Sequence, residues 1–123
     1  MRRAAFRRLV SEALEDLPRE FLDKMNNVEV VVEGSPTPEQ DCLTGSEEDE
    51  EEGLLLGLYE GTPLTDRSTQ YAALPDRIIL FQDNIEAVCE TQEEIREEVR
   101  KTVLHEIAHH FGMGEKRLHE LDY

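Results

Sequence analysis

His105, Glu106 and His109 read H-E-x-x-H near the end of the chain. On an α-helix, residues four apart lie about 40° apart on one face, one turn above the other. Two imidazoles placed that way both reach a single ion at about 2.0–2.1 Å, the distance zinc prefers for nitrogen. Glu106 is turned about 100° from His105 but only about 60° from His109. Its carboxylate therefore hangs beside the ion without ligating it, where it can hold a water and take its proton.

The pattern continues as "HEIAHHFGMGE", or H-E-x-x-H-x-x-G-x-x-E. Gly112 lets the chain turn sharply, and Glu115 can then swing back as a third ligand. Three protein ligands would leave a fourth position for water, as in catalytic zinc sites. Zn²⁺ is the expected ion, with another divalent metal as the alternative. His119 competes with Glu115 for the third place, and Glu120 is a weaker competitor. His110 lies about 100° around the helix from His109. It cannot join His105 in one site and is assigned to packing or to support of the site.

These residues need a helix to hold them, and the sequence supplies one. Thr91, with Glu94 three residues later, has the pattern of a capping box. The helix it opens should run to about Phe111, with Gly112 ending it. Val103, Leu104, Ile107, Ala108 and Phe111 form its apolar side, so His105 and His109 look away from the main packing stripe. A short final helix is expected over about 115–121.

Upstream, Phe6, Leu9, Val10, Ala13, Leu14 and Leu17 form one stripe of an amphipathic helix. Pro18 interrupts it and can begin a new turn, with Phe21, Leu22 and Met25 expected to face inward. Asn26 and Asn27 end that region. "VEVVVEG", residues 28–34, reads as a strand rich in β-branched residues. "GLLLGLYEG", residues 53–61, reads as a second, largely buried strand. "RIILFQ", residues 77–82, reads as a third, and "NIEAVC" after it as one helical turn. Residues 35–52 hold two prolines, few apolar side chains and an unbroken acidic run from Glu47 to Glu52. Like charges at that density repel one another, so this stretch is expected to be a mobile acidic loop. It lacks the Asp/Asn ladder and central glycine of an EF-hand.

The expectation is thus one α+β domain over residues 1–123, with a small sheet of about three strands. The sheet packs on an N-terminal helix and on a long helix carrying the site. The net charge of −16 argues against nucleic acid as a partner, since neutralising phosphates takes a basic surface. It argues against anionic membranes for the same reason. Arg2, Arg3, Arg7 and Arg8 cluster at the start, but charged residues interrupt the apolar stretch after them. Neither a secretory signal nor a membrane span is expected, and the chain is placed in the cytoplasm. Cys42 and Cys89 match no zinc-binding spacing and are read as reduced thiols.

The C-terminal stretch resembles the zincin metallopeptidases in their metzincin-style H-E-x-x-H-x-x-G-x-x-[H/D] form. In more detail, the chain is similar to a family of small bacterial zincin-like metallopeptidases, formerly a domain of unknown function. The resemblance is carried by "LLLGLYEGTPLTDRS" (54–68), "LPDRIILFQDNI" (74–85) and "TVLHEIAHHFGMGEKRLHEL" (102–121). It implies a minimal zincin α/β core. It also implies an extended peptide substrate lying along an edge strand, with residues 77–82 the first candidate and residues 54–59 the second. Tyr59 and Tyr123 are the tyrosines that could stabilise an oxyanion, as some zincin tyrosines do; packing is the simpler role for both. The chain departs from the family pattern at Glu115, where the family usually has an Asp one methylene shorter. It also has no Met-turn, for Met113 lies inside the turn itself.

The lead reading is a zinc-dependent peptidase acting on a peptide or protein. The rival is a metal-binding module without proteolysis, its ion holding the last helices together. In a third reading the acidic stretch recruits a basic partner.

Overall fold

The computed structural model describes residues 1–25, 28–43, 50–51, 54–61 and 76–110. The expected final helix, with Gly112, Glu115 and His119, lies outside the described residues. So do most of the acidic run and Tyr123.

The first helix, α1 (Arg3–Glu15), buries Phe6, Leu9, Val10 and Ala13, the stripe its periodicity predicts. Pro18 caps a second short helix, α2 (Arg19–Lys24). Here one expectation fails. Leu22 is 42% exposed. Phe21 is buried and Met25, four residues on, packs against the same core. Those two occupy the inward face of a helix with little more than one turn, and Leu22, about 100° around from Phe21, is left outside.

Strand β1 (Val28–Glu33) follows as expected. The stretch read as loop then contains regular structure. Helix α3 (Pro38–Leu43) starts with a reciprocal cap. The Thr37 amide donates to Gln40 Oε1 at 2.8 Å, and the Gln40 amide donates to Thr37 Oγ1 at 3.2 Å. This is the capping box in its T-x-x-Q form. Further on, β2 (Glu50–Glu51) pairs antiparallel with β3 (Leu54–Leu55).

The expected strand over 53–61 is two strands, β3 and β4 (Gly57–Glu60), interrupted at Leu56. Leu56 packs with the helices, and Gly57 also faces α5 (Gln92–His110), because a Cβ there would meet Thr102. Two successive residues facing one side break the alternation a strand requires. The ladder therefore restarts at Gly57.

Strand β5 (Asp76–Phe81) is the centre of the main sheet, whose order is β1-β5-β4. It runs parallel to β1, with Val30 opposite Ile78, and antiparallel to β4, with Leu58 opposite Ile79. With both edges paired, β5 cannot receive a substrate strand, so the first candidate of the sequence is wrong. The second, residues 54–59, overlaps β4, an edge of this sheet among the described residues. Gln82 is the first residue of helix α4 (Gln82–Val88) rather than the last of the strand. Its Nε2 donates to the Met1 carbonyl at 2.8 Å.

One face of the sheet, with Ile78 and Leu80, packs on α1 and α5. The other carries a smaller cluster of Leu55, Leu58, Ile79 and Phe81. Helix α5 is capped as predicted. The Glu94 amide donates to Thr91 Oγ1 at 3.1 Å, and the Thr91 amide donates to Glu94 Oε2 at 3.2 Å. Ion pairs of Arg96 with Glu12 at 3.2 Å and of Arg100 with Asp16 at 3.8 Å border its contact with α1. Cys89 is a half-buried thiol against the main core. Among the described residues no helix is long and apolar enough to cross a membrane.

Candidate metal centre

Helix α5 is buried around nearly its whole circumference where it carries the motif. Thr102, Val103, Leu104, Glu106, Ile107 and Ala108 are all buried. Between 102 and 109 only two positions escape full burial, His105 (half-buried) and His109 (exposed). The i, i+4 pair is therefore the one open stripe of an otherwise enclosed segment. The sheet and α1 cover the rest because Val103, Leu104, Ile107 and Ala108 present apolar surface on every other side, and burying it stabilises the fold.

The two rings meet edge to face, with centroids 6.2 Å apart and planes at 86°. Two imidazoles sharing a zinc ion at about 2.1 Å from each nitrogen have centroids at most about 6.5 Å apart. The observed spacing falls inside that limit. A tetrahedral angle asks for about 1 Å less, within reach of a rotation of the exposed His109 side chain. The nitrogen donors and the spacing of their rings fit a zinc ion.

Glu106 is 5% exposed. A carboxylate is costly to bury without compensation, and such groups concentrate where charge is put to use. Among the described residues, no three His, Cys, Asp or Glu groups converge on one point. The third-ligand candidates Glu115 and His119 lie outside the described residues.

His110 points elsewhere. Its ring stacks on Tyr59 of β4, with centroids 3.9 Å apart and planes 13° from parallel. Its Nε2 lies 3.9 Å from Asp76 Oδ2, and the Tyr59 hydroxyl donates to that same oxygen at 2.8 Å. Packing against the sheet is where the structure puts it. The part of Asp76 in this cluster was missed from the sequence. A signal existed: Asp76 shares strand parity with Ile78 and Leu80, so it stands as a carboxylate on the apolar face.

Residues 25–123 match the zincin-like metallopeptidase family. The chain belongs to that family. The matched span takes in every element from β1 onward, and α1 precedes it while packing directly on α5. Among solved structures, a conserved hypothetical protein from Thermo thermophilus is similar, at 27% identity and a TM-score of 0.54. The alignment covers 93% of this chain and 97% of that one. No curated protein matches. Zincin-like membership implies zinc as the general cofactor, in accord with the histidine pair.

Proposed function

We propose that this zincin-like protein is a zinc-dependent peptidase, with His105, His109 and Glu115 as the ligands and Glu106 as the general base. The observation that carries this reading is the exposure pattern of α5. From Thr102 to Ala108 the helix is buried at every position but His105, and His109, one turn on, is exposed, with a buried carboxylate between them in sequence. A site needed only to tie helices together has no use for a carboxylate base there, and structural zinc sites usually close with four protein ligands.

The bound ion would supply Lewis acidity, polarising a peptide carbonyl and making water a better nucleophile. His105 and His109 would hold it through ring nitrogens on one helix face. Glu106 would take a proton from the attacking water and deliver it to the leaving amine. The low exposure of Glu106 keeps bulk solvent from competing for that proton. The backbone of β4 would pair with an extended substrate whatever its side chains. This strand pairs antiparallel with β5 on one side and contacts α5 on its face.

The test is Glu106→Gln, assayed on a peptide library with metal content measured in parallel. The expected result is loss of cleavage with metal retained. Unchanged cleavage would overturn the assignment of the base. A wild-type protein that binds zinc but cleaves nothing would favour the metal-binding module instead.

A further inference from the structure

We propose that Tyr59 and Asp76 act through His110 as positioning residues for the metal ligands, holding the last described turn of α5 in the rotation that lets His105 and His109 share one ion. This role depends on the metal-binding reading above.

The three residues come from three elements. Tyr59 is on β4, Asp76 opens β5, and His110 ends the described part of α5. Tyr59 stands opposite Ile78 in the ladder, so Asp76 is its diagonal neighbour on the same face, within reach of a long side chain. The hydroxyl spans that diagonal to Asp76 Oδ2 at 2.8 Å. This bond fixes the Tyr59 ring as a plate at the end of the sheet, and His110 lies flat on it at 3.9 Å. Gly61 closes the cluster from a further side. A methyl group there would sit 3.6 Å from His110 Cε1 and 3.7 Å from Asp76 Oδ1.

The consequence for the site follows from helix geometry. A helix turn at the surface keeps its rotation only where side chains hold it against the rest of the fold. His109 lies in such a turn and is exposed, so burial does not fix it. His110, its neighbour, is exposed as well, but its ring is held by the stack on Tyr59. Because successive residues differ by about 100°, fixing the azimuth of His110 fixes that of His109 and, one turn back, that of His105. The stack also sets the distance from the ligand helix to β4, the strand proposed to pair with substrate. Tyr59 reaches the site through this contact, not as a ligand.

The test compares wild type, His110→Ala, His110→Phe, Tyr59→Phe and Tyr59→Leu. Zinc affinity is measured by competition with a chromophoric chelator, and Co²⁺-substituted protein is followed by its visible spectrum. All measurements are made well below each variant's Tm. His110→Ala and Tyr59→Leu should lose about tenfold in affinity, the low end of the effect of groups that orient ligands, with an altered Co²⁺ band. His110→Phe keeps a flat ring and should recover most of the affinity. Tyr59→Phe keeps the plate but not its anchor and should fall between. Wild-type affinity in folded His110→Ala would overturn the role. Failure of His110→Phe to recover would also overturn it, because His110 would then be acting through its ring nitrogens and not through the flat stack. Absence of metal binding by wild type would sink the metal-binding reading, and this role with it. That outcome differs from one in which wild type binds zinc and the variants bind it equally well.

Discussion

A Cβ placed on Gly57 would sit 2.6 Å from Thr102 Cγ2, so β4 lies on α5 with no room for a side chain between them. The contact falls one turn before His105 and sets how close the edge strand comes to the histidine pair. Gly57→Ala should destabilise the protein by about 1–3 kcal/mol, the usual cost of forcing extra volume into a packed contact. Thr102→Ser removes the methyl and should recover part of this in the double variant. The recovery should be incomplete, because the Ile79 carbonyl is also close, at 3.2 Å. Thermal melts of the two single variants and the double variant form the cycle that checks it. Additive losses would mean that the two residues do not press on each other.

Glu106→Gln preserves the shape of a buried side chain and removes its basicity. Peptide cleavage should fall by about 10²–10⁴, the range general acid–base groups contribute. Zinc content by elemental analysis should stay at the wild-type level, since Glu106 is not assigned as a ligand. Parallel loss of zinc would mean that it is.

His109 is exposed, so His109→Ala should change the stability of the metal-free protein by no more than about 0.5 kcal/mol. The same substitution should strip most of the zinc from the purified protein. Equal metal content in variant and wild type would remove His109 from the site.

Zinc at about 100 times its dissociation constant should add about 2.7 kcal/mol of stability by mass action alone. Chelation should therefore lower the Tm and abolish cleavage together, and re-addition of zinc should restore both. A Tm shift in a protein that cleaves no peptide would leave only the structural role for the ion.

Thr91→Ala removes one side of the reciprocal cap on α5 and should cost about 0.5–2 kcal/mol in denaturant unfolding. Zinc affinity of the folded variant should be unchanged, because the cap lies several turns from His105. A large loss of affinity would show that fraying at the start of α5 reaches the site.

Much of the candidate site is legible along the chain because its spacing is local. The turn of an α-helix puts His105 and His109 on one face whatever surrounds them, and the apolar residues around them mark which sides become buried. The caps are legible for the same reason. Thr91 with Glu94 follows that rule at the start of α5, and Thr37 with Gln40 obeys it inside a stretch whose charge and prolines argue for loop. There, composition outweighs a local signal that should have prevailed.

Tertiary structure alone decided the rest. Residues 54–59 and 77–82 are both short apolar runs, and hydropathy does not say which becomes the central strand and which the edge. That depends on which segments pair, and β1 joins β5 across more than forty residues of chain. Leu22 lost its inward place because Phe21 and Met25 filled the little space a short helix has to offer. Tyr59, Asp76 and His110 are ordinary residues singly. They become a cluster only when the β4–β5 register sets two of them diagonally across a ladder and the end of α5 arrives above. Periodicity is a property of neighbours along the chain. Contact between distant segments is set by how the whole core packs, and no short stretch records that.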